Sequence, residues 1–349
     1  MTEIVKGCFV LEIRSVTEYG ELIEKFYPKK VRNELLFENM ARIDSLQRRS
    51  ERVHDCGNWL EFAHGISHDG EVSQDGKLFR ASFCRDRLCP MCNWRRRLKI
   101  YHQTKSILKH IDNQRYIFLT LTVPNVSELE LNVTIDRFQD AFKKMFHPRD
   151  GKCMSFVNGY IRTLEITYNE KRNDYHPHFH AILAVSPSYF SGRDYKKNMW
   201  WVNTWSDCWR DCGGFVPPSG LSVRVRAIRP NQDNDMNSAV LEVTKYAVKD
   251  AEFLTETNNP FKFHVLETIA MAIKGRRMFT LGGIFRQVWA ELRLDDAEDG
   301  DLIITSDDDR ITDDIVLMLH YTWKGPEKGY KFGFGNRQYR KAGVSCDSF

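Results

Sequence analysis

The chain has 349 residues, 42% of them hydrophobic, which is enough for two or three domains with buried cores. Its longest apolar runs, such as residues 116–123 and 182–185, fall far short of the roughly 20 residues that a membrane span needs, and Glu3, Lys6 and Glu12 break up any secretory leader. The expectation is a cytoplasmic protein without membrane contact, whose nine cysteines serve as free thiols and metal ligands rather than disulfides.

Residues 1–52 carry amphipathic helical stretches, with Leu35, Leu36, Met40 and Ile43 as apolar positions; no role is legible in them. Residues 53–105 are dense in cysteine, glycine and aspartate and lack long periodic segments, the composition of a small basic unit held together by metal. Residues 106–294 change character. Thr120 and Thr122 alternate with Leu119, Leu121 and Val123, the period of a half-buried strand, and residues 161–167, 179–185 and 221–228 repeat that pattern. Helical patterns around residues 136–146 and 199–209 lie between them, so the expected class is α+β with a central antiparallel sheet and flanking helices. Trp200, Trp201, Trp205 and Trp209 follow helical spacing and read as core rather than as base-stacking residues.

The net charge of +4 averages two unlike parts. Residues 295–314 hold ten acidic side chains against one basic, a local net of −9, so the rest of the chain carries +13. A body that basic points to a polyanionic partner, with clusters at residues 85–99, 171–172 and 224–229. Residues 295–349 read as an acidic linker and tail, able to compete with DNA for the basic face.

Cys84, Cys89 and Cys92 form C-x4-C-x2-C, with Cys56 upstream. Such spacings let four thiolates meet around one structural Zn²⁺, with CPMC at 89–92 as the knuckle and His54 as the alternative to Cys56. Arg95, Arg96, Arg97 and Lys99 follow directly, so the zinc unit would present a basic helix start to DNA phosphates. Cys208 and Cys212 have no nearby partners.

The string HPHFH at 176–180 is the most informative in the chain. On a strand, His178 and His180 share a face and Phe179 turns into the core. A turn centred between Lys171 and Arg172 would pair this strand with residues 162–167 and set Glu165 opposite His178. Two imidazoles and a carboxylate with open positions suit Mn²⁺ or Mg²⁺ acting on a phosphate; a non-haem iron oxygenase uses the same donors. His176 is either a further ligand or a group behind the ligands. Residues 237–250 read as a helix on which Glu242, Tyr246 and Lys249 share one face. A tyrosine there could attack phosphorus, Lys249 could stabilise the charge, and Glu242 could activate a water.

Together FCRDRLCPMCNWRRR, YHPHFHAILAV and LEVTKYAVKD, with FLTLTVPNV and IKGRRMFTLGGIF, resemble the Rep class 1 plasmid rolling-circle initiators of Gram-positive bacteria, in family order over residues 56–292. The resemblance implies an HUH-nuclease-like sheet with His178 and His180 as the histidine pair, Glu165 as acidic ligand, Tyr246 as nucleophile and Glu242 as the group that lets water end replication. It implies a site-specific nickase that cuts one strand at the plasmid's double-strand origin. The expected partners are origin DNA, double-stranded and as exposed single strand, with host helicase and polymerase; the sequence leaves the oligomeric state open, a homodimer included. A transposase of the same class and a noncatalytic zinc-dependent DNA-binding repressor are the competing readings.

Overall fold

The computed structural model of the chain describes residues 20–67, 72–73, 75–147, 149, 151–153, 155–229, 233–245, 253–256, 258–313 and 315–339. In chain order the first elements are helices α1 (Gly20–Glu24), α2 (Tyr27–Met40) and α3 (Gln47–Asp55), strands β1 (Trp59–Gly65) and β2 (Lys77–Ala81), and helix α4 (Pro90–Lys109). Then come β3 (Arg115–Thr122), α5 (Glu128–Met145), β4 (Val157–Asn169), β5 (Asp174–Val185), α6 (Asn198–Asp211), β6 (Val223–Ile228) and α7 (Asp233–Val243). The chain continues with α8 (Pro260–Ala272), β7 (Phe279–Gly283), α9 (Ile284–Glu291), β8 (Ile315–Trp323) and β9 (Tyr330–Tyr339). Among the described residues no helix is long and apolar enough to cross a membrane.

The chain divides into two compact units. One comprises residues 1–31, 57–82 and 310–349, and its antiparallel sheet runs β2-β1-β8-β9. Phe26, Phe62 and Tyr321 meet edge to face in its core, with centroids 5.7 and 6.0 Å apart. Residues 315–339, expected as part of a tail, are instead two sheet strands, because the apolar run IVLMLHYTW buries Val316, Leu317, Met318, Leu319 and Tyr321.

The second unit comprises residues 32–56 and 83–309, and its five-stranded sheet runs β6-β3-β5-β4-β7 with every neighbour antiparallel. The expected zinc unit at 53–105 is therefore not separate: its cysteines belong to this body, while β1 and β2 belong to the other. Strand alternation gives the five-stranded sheet two apolar faces. Leu119, Leu121, Leu164, Phe179 and Leu183 pack with α5, α6 and α8. Phe179 stacks on Phe138 at 4.0 Å, and Trp201, Trp205 and Trp209 are buried there, as their helical spacing indicated. On the opposite face Phe118, Ile161, Ile182 and Phe279 pack with Ile100 and Ile107 of α4, Val240 and Val243 of α7, and Phe285 and Val288 of α9.

Local chemistry fixes where these elements begin. Ser127 and Glu130 form a reciprocal capping box at the start of α5. Cys89 caps α4 by accepting a hydrogen bond from the Cys92 amide, with Pro90 at the first helical position, where a missing N–H costs nothing. Gly283 (φ 58°) makes the immediate step from β7 into α9; a Cβ there would lie 2.1 Å from the Asn158 carbonyl oxygen.

Candidate active site

The β4–β5 hairpin builds the site. Its turn runs through Asn173 in the left-handed region (φ 51°), and its register pairs Glu165 with His178 and Thr167 with His176, as a turn centred between Lys171 and Arg172 requires. Phe179 is locked in the core, so His178 and His180 project together from the other face. Glu165 Oε2 lies 3.1 Å from His178 Nε2 and 3.2 Å from His180 Nε2. The far ring nitrogens are also held: His178 Nδ1 is 3.2 Å from the His176 carbonyl oxygen, and His180 Nδ1 is 3.4 Å from Thr120 Oγ1. Burial alone would raise the Glu165 carboxyl, but hydrogen bonds and charge from His178 and His180 outweigh it and hold the group well below the usual carboxylate range.

These three ligand atoms lie within 4.8 Å of one another. Two imidazole nitrogens and one carboxylate oxygen, fixed from behind and gathered on one face, fit a divalent cation with coordination positions to spare. His176 is not in the trio. Its Nδ1 sits 2.8 Å from Asn125 Oδ1 and its ring 5.3 Å from that of His178, which places it behind the ligands.

Helix α7 closes one side of the trio. Val240 and Val243 are buried against the sheet; the helix begins at Asp233 and its described part ends at Val243, while residues 246–250 of the expected helix lie outside the described residues. Glu242 then faces the site, with Oε1 3.6 Å from His180 Nε2 and Oε2 paired with Lys245 Nζ. The Thr163 hydroxyl donates to the Val243 carbonyl, one of the oxygens a helix end leaves without a partner. Tyr246 and Lys249 lie outside the described residues. Thr120, Thr163 and Lys245 escaped sequence reasoning. The strand register could have found the two threonines, since both pair with His180 across the sheet.

Cys56, Cys84, Cys89 and Cys92 converge separately, with Sγ–Sγ separations of 3.5 Å (Cys56–Cys92), 3.7 Å (Cys84–Cys92) and 3.5 Å (Cys56–Cys89). Thiolates around one zinc at about 2.3 Å stand about 3.8 Å apart at tetrahedral angles, so these spacings suit a bound ion and are far too long for disulfides. Backbone amides of Cys84, Arg85, Asp86 and Cys92 donate to the sulfurs, as thiolates require. Burial would raise Cys92, but hydrogen bonds from the other three thiols and the charge of Arg96 carry it well below an ordinary thiol; burial pushes Cys56 and Cys89 up. His54, the alternative ligand, instead lies 3.9 Å from Glu34 and 3.4 Å from Asp55.

The basic run after the knuckle needs correction. Arg95, Arg96 and Lys99 are 6%, 3% and 3% exposed, which withdraws them from DNA phosphates; Arg97 alone of the four is exposed. The cause is the acidic segment, which is not a free linker over residues 295–309. Arg95 donates to the carbonyl of Leu302 (2.8 Å), Arg96 to that of Glu298 (2.8 Å), and Lys99 to Asp295 Oδ2 (2.5 Å) and the Asp301 carbonyl (2.7 Å). Backbone carbonyls, invisible to a count of charges, are the main acceptors.

The fold and the site together define an α+β protein with a three-donor site competent for a divalent cation and a separate four-thiol cluster that could hold zinc. Residues 75–331 match the Rep_1 family, described as replication protein, and the chain belongs to that family, as a Rep class 1 plasmid replication initiator. It is similar to Protein rep of Bacillus amyloliquefaciens (35% identical; 81% of this chain and 84% of the relative covered). It is similar also to Protein rep of Streptococcus pneumoniae (34%; 74% and 76%) and of Staphylococcus aureus (35%; 66% and 95%). No solved structure matches the chain.

Proposed function

We propose that this replication protein starts rolling-circle replication by nicking one strand of its plasmid's double-strand origin through transesterification by Tyr246. The observation that carries the reading is the convergence of Glu165, His178 and His180 with Glu242, on a helix that ends three residues before Tyr246. Mn²⁺ or Mg²⁺ held by Glu165, His178 and His180 would neutralise charge on the scissile phosphate. The phenolate oxygen of Tyr246 attacks phosphorus as the bond to the 3′ oxygen breaks. The 5′ phosphate passes to the tyrosine, and the 3′ oxygen takes up a proton and leaves as a hydroxyl that primes host polymerase. Lys249, three residues after Tyr246 in the chain, stabilises the developing charge.

Glu242 serves the second transfer. Its carboxylate, held between His180 and Lys245, takes a proton from the water that ends the replication cycle in place of a second tyrosine. Zinc held by Cys56, Cys84, Cys89 and Cys92 would support the start of α4 and take no part in the chemistry.

The test is a labelled single-stranded origin oligonucleotide incubated with divalent metal and run on a denaturing gel. The wild type forms a metal-dependent covalent adduct and Tyr246→Phe forms none; a full-strength adduct from the mutant refutes the nucleophile. Glu242→Gln keeps the first nick and loses the terminating cleavage, and equal loss of both steps refutes its role.

A further inference from the structure

Strand β7 is an edge of the five-stranded sheet, and along it lies a groove of about 260 Å³. Leu281 and Trp289 give its lining apolar surface, Arg277 and Arg286 give it cationic groups, and Asp296 lies among them. Trp289 packs one side on the core beneath α9 and is only partly buried. Arg277 is oriented by Asp296 at 2.7 Å and Glu298 at 3.5 Å, which offsets its charge. Arg286 is exposed and has no ion-pair partner among the described residues.

We propose that this groove binds one unpaired nucleotide of the DNA strand being cut, with its base against Trp289 and Leu281 and its phosphate on Arg286. The proposal rests on the nuclease reading and adds where the strand runs. Phe279 of β7 pairs with Thr163 of β4, which pairs with His180 of β5, so two strand spacings, about 10 Å, separate the groove's strand from that of the two donor histidines, with Glu165's strand between them. Phe279 also lines a second, smaller cavity together with Thr163 and Lys245, so one residue of β7 borders both spaces. A flat aromatic wall with an unpaired guanidinium is what a nucleotide needs; an extended peptide pairing with the β7 edge would leave Arg286 unused.

The test uses the full chain with metal and single-stranded origin oligonucleotides shortened one nucleotide at a time from either end. For the wild type, affinity drops about tenfold or more at the truncation that empties the groove. Arg286→Ala, which changes an exposed side chain, removes that step and lowers the salt slope of binding by about one. Trp289→Ala also removes it, and Trp289→Phe keeps it. Identical truncation profiles in wild type and Arg286→Ala overturn the proposal and leave the groove to a peptide strand. Adduct formation is scored in the same samples: a wild type that binds and steps but forms no adduct sinks the nuclease reading alone, while an adduct with unaltered profiles sinks the groove alone.

Discussion

Arg96→Ala separates the two roles available to the basic run after the zinc knuckle. The Arg96 guanidinium is buried and donates to the carbonyls of Glu298 (2.8 Å), Asp86 (3.0 Å) and Arg85, and to Asn93 Oδ1 (3.2 Å). Its removal leaves the buried carbonyls of Glu298 and Asp86 without this donor, at about 1–3 kcal/mol each before water fills part of the gap, while the carbonyl of the exposed Arg85 can turn to water. A net loss of about 3–5 kcal/mol is expected, the range for breaking a buried charged network. Urea unfolding measures it, and Arg96→Lys recovers little, because a single ammonium cannot serve a fork of carbonyls. The second readout is the salt dependence of DNA binding by the folded mutant. A buried structural arginine leaves the slope of log K against log salt unchanged, whereas a phosphate contact reduces it by about one. Unchanged stability with a reduced slope would refute the structural assignment.

Three further substitutions test the same geometry. Glu165→Gln should weaken divalent-metal binding by more than the about 10–100-fold typical of changes behind the ligands, as read by calorimetry. The folded Glu165 carboxyl is held below its unfolded value of about 4.3, so without metal it contributes stability above that pH, lost as pH falls through the folded value. Glu165→Gln should flatten this acid limb in urea midpoints between neutral and acid pH, and parallel curves would contradict it. Cys84→Ser should reduce zinc from one equivalent per chain and loosen α4, seen as faster amide exchange over residues 90–109; undiminished zinc would exclude Cys84 as a ligand. Thr163→Val should leave metal affinity unchanged and slow adduct formation at saturating DNA, because the end of α7 loses the donor to Val243; an unaltered rate would show that this bond does not position the helix.

The metal trio was legible because the hairpin that makes it is short and local. One turn sets the register, the register sets which side chains oppose, and strand alternation sets the face. The four thiols were legible for a similar reason: three lie within nine residues around a helix start. The expected fate of the acidic segment failed because charge counts carry no geometry. The same ten carboxylates fit a free arm or a built strap, and the choice is made by carbonyls of Glu298, Asp301 and Leu302 that any residue type supplies. The pairing of β8 with β1 spans most of the chain, and no local signal announces a partner that distant.

The sheet face that bears the site is apolar at one end and chemical at the other, and the transition falls along β5. Ala184 and Ile182 lie in the core beneath the helices of that face, His180 is almost covered, and His178 and His176 follow toward the open end of the strand. Desolvation therefore grades along a single strand. It is strongest where His180 meets Glu165 and Glu242, which sharpens the interaction between these charges and the imidazole. The same packing that buries Val240 and Val243 sets Glu242 beside His180 and ends the helix just ahead of Tyr246. The backbone at 242 could not move away from His180 without lifting those valines from the sheet, so hydrophobic packing holds the root of the Glu242 side chain beside the imidazole.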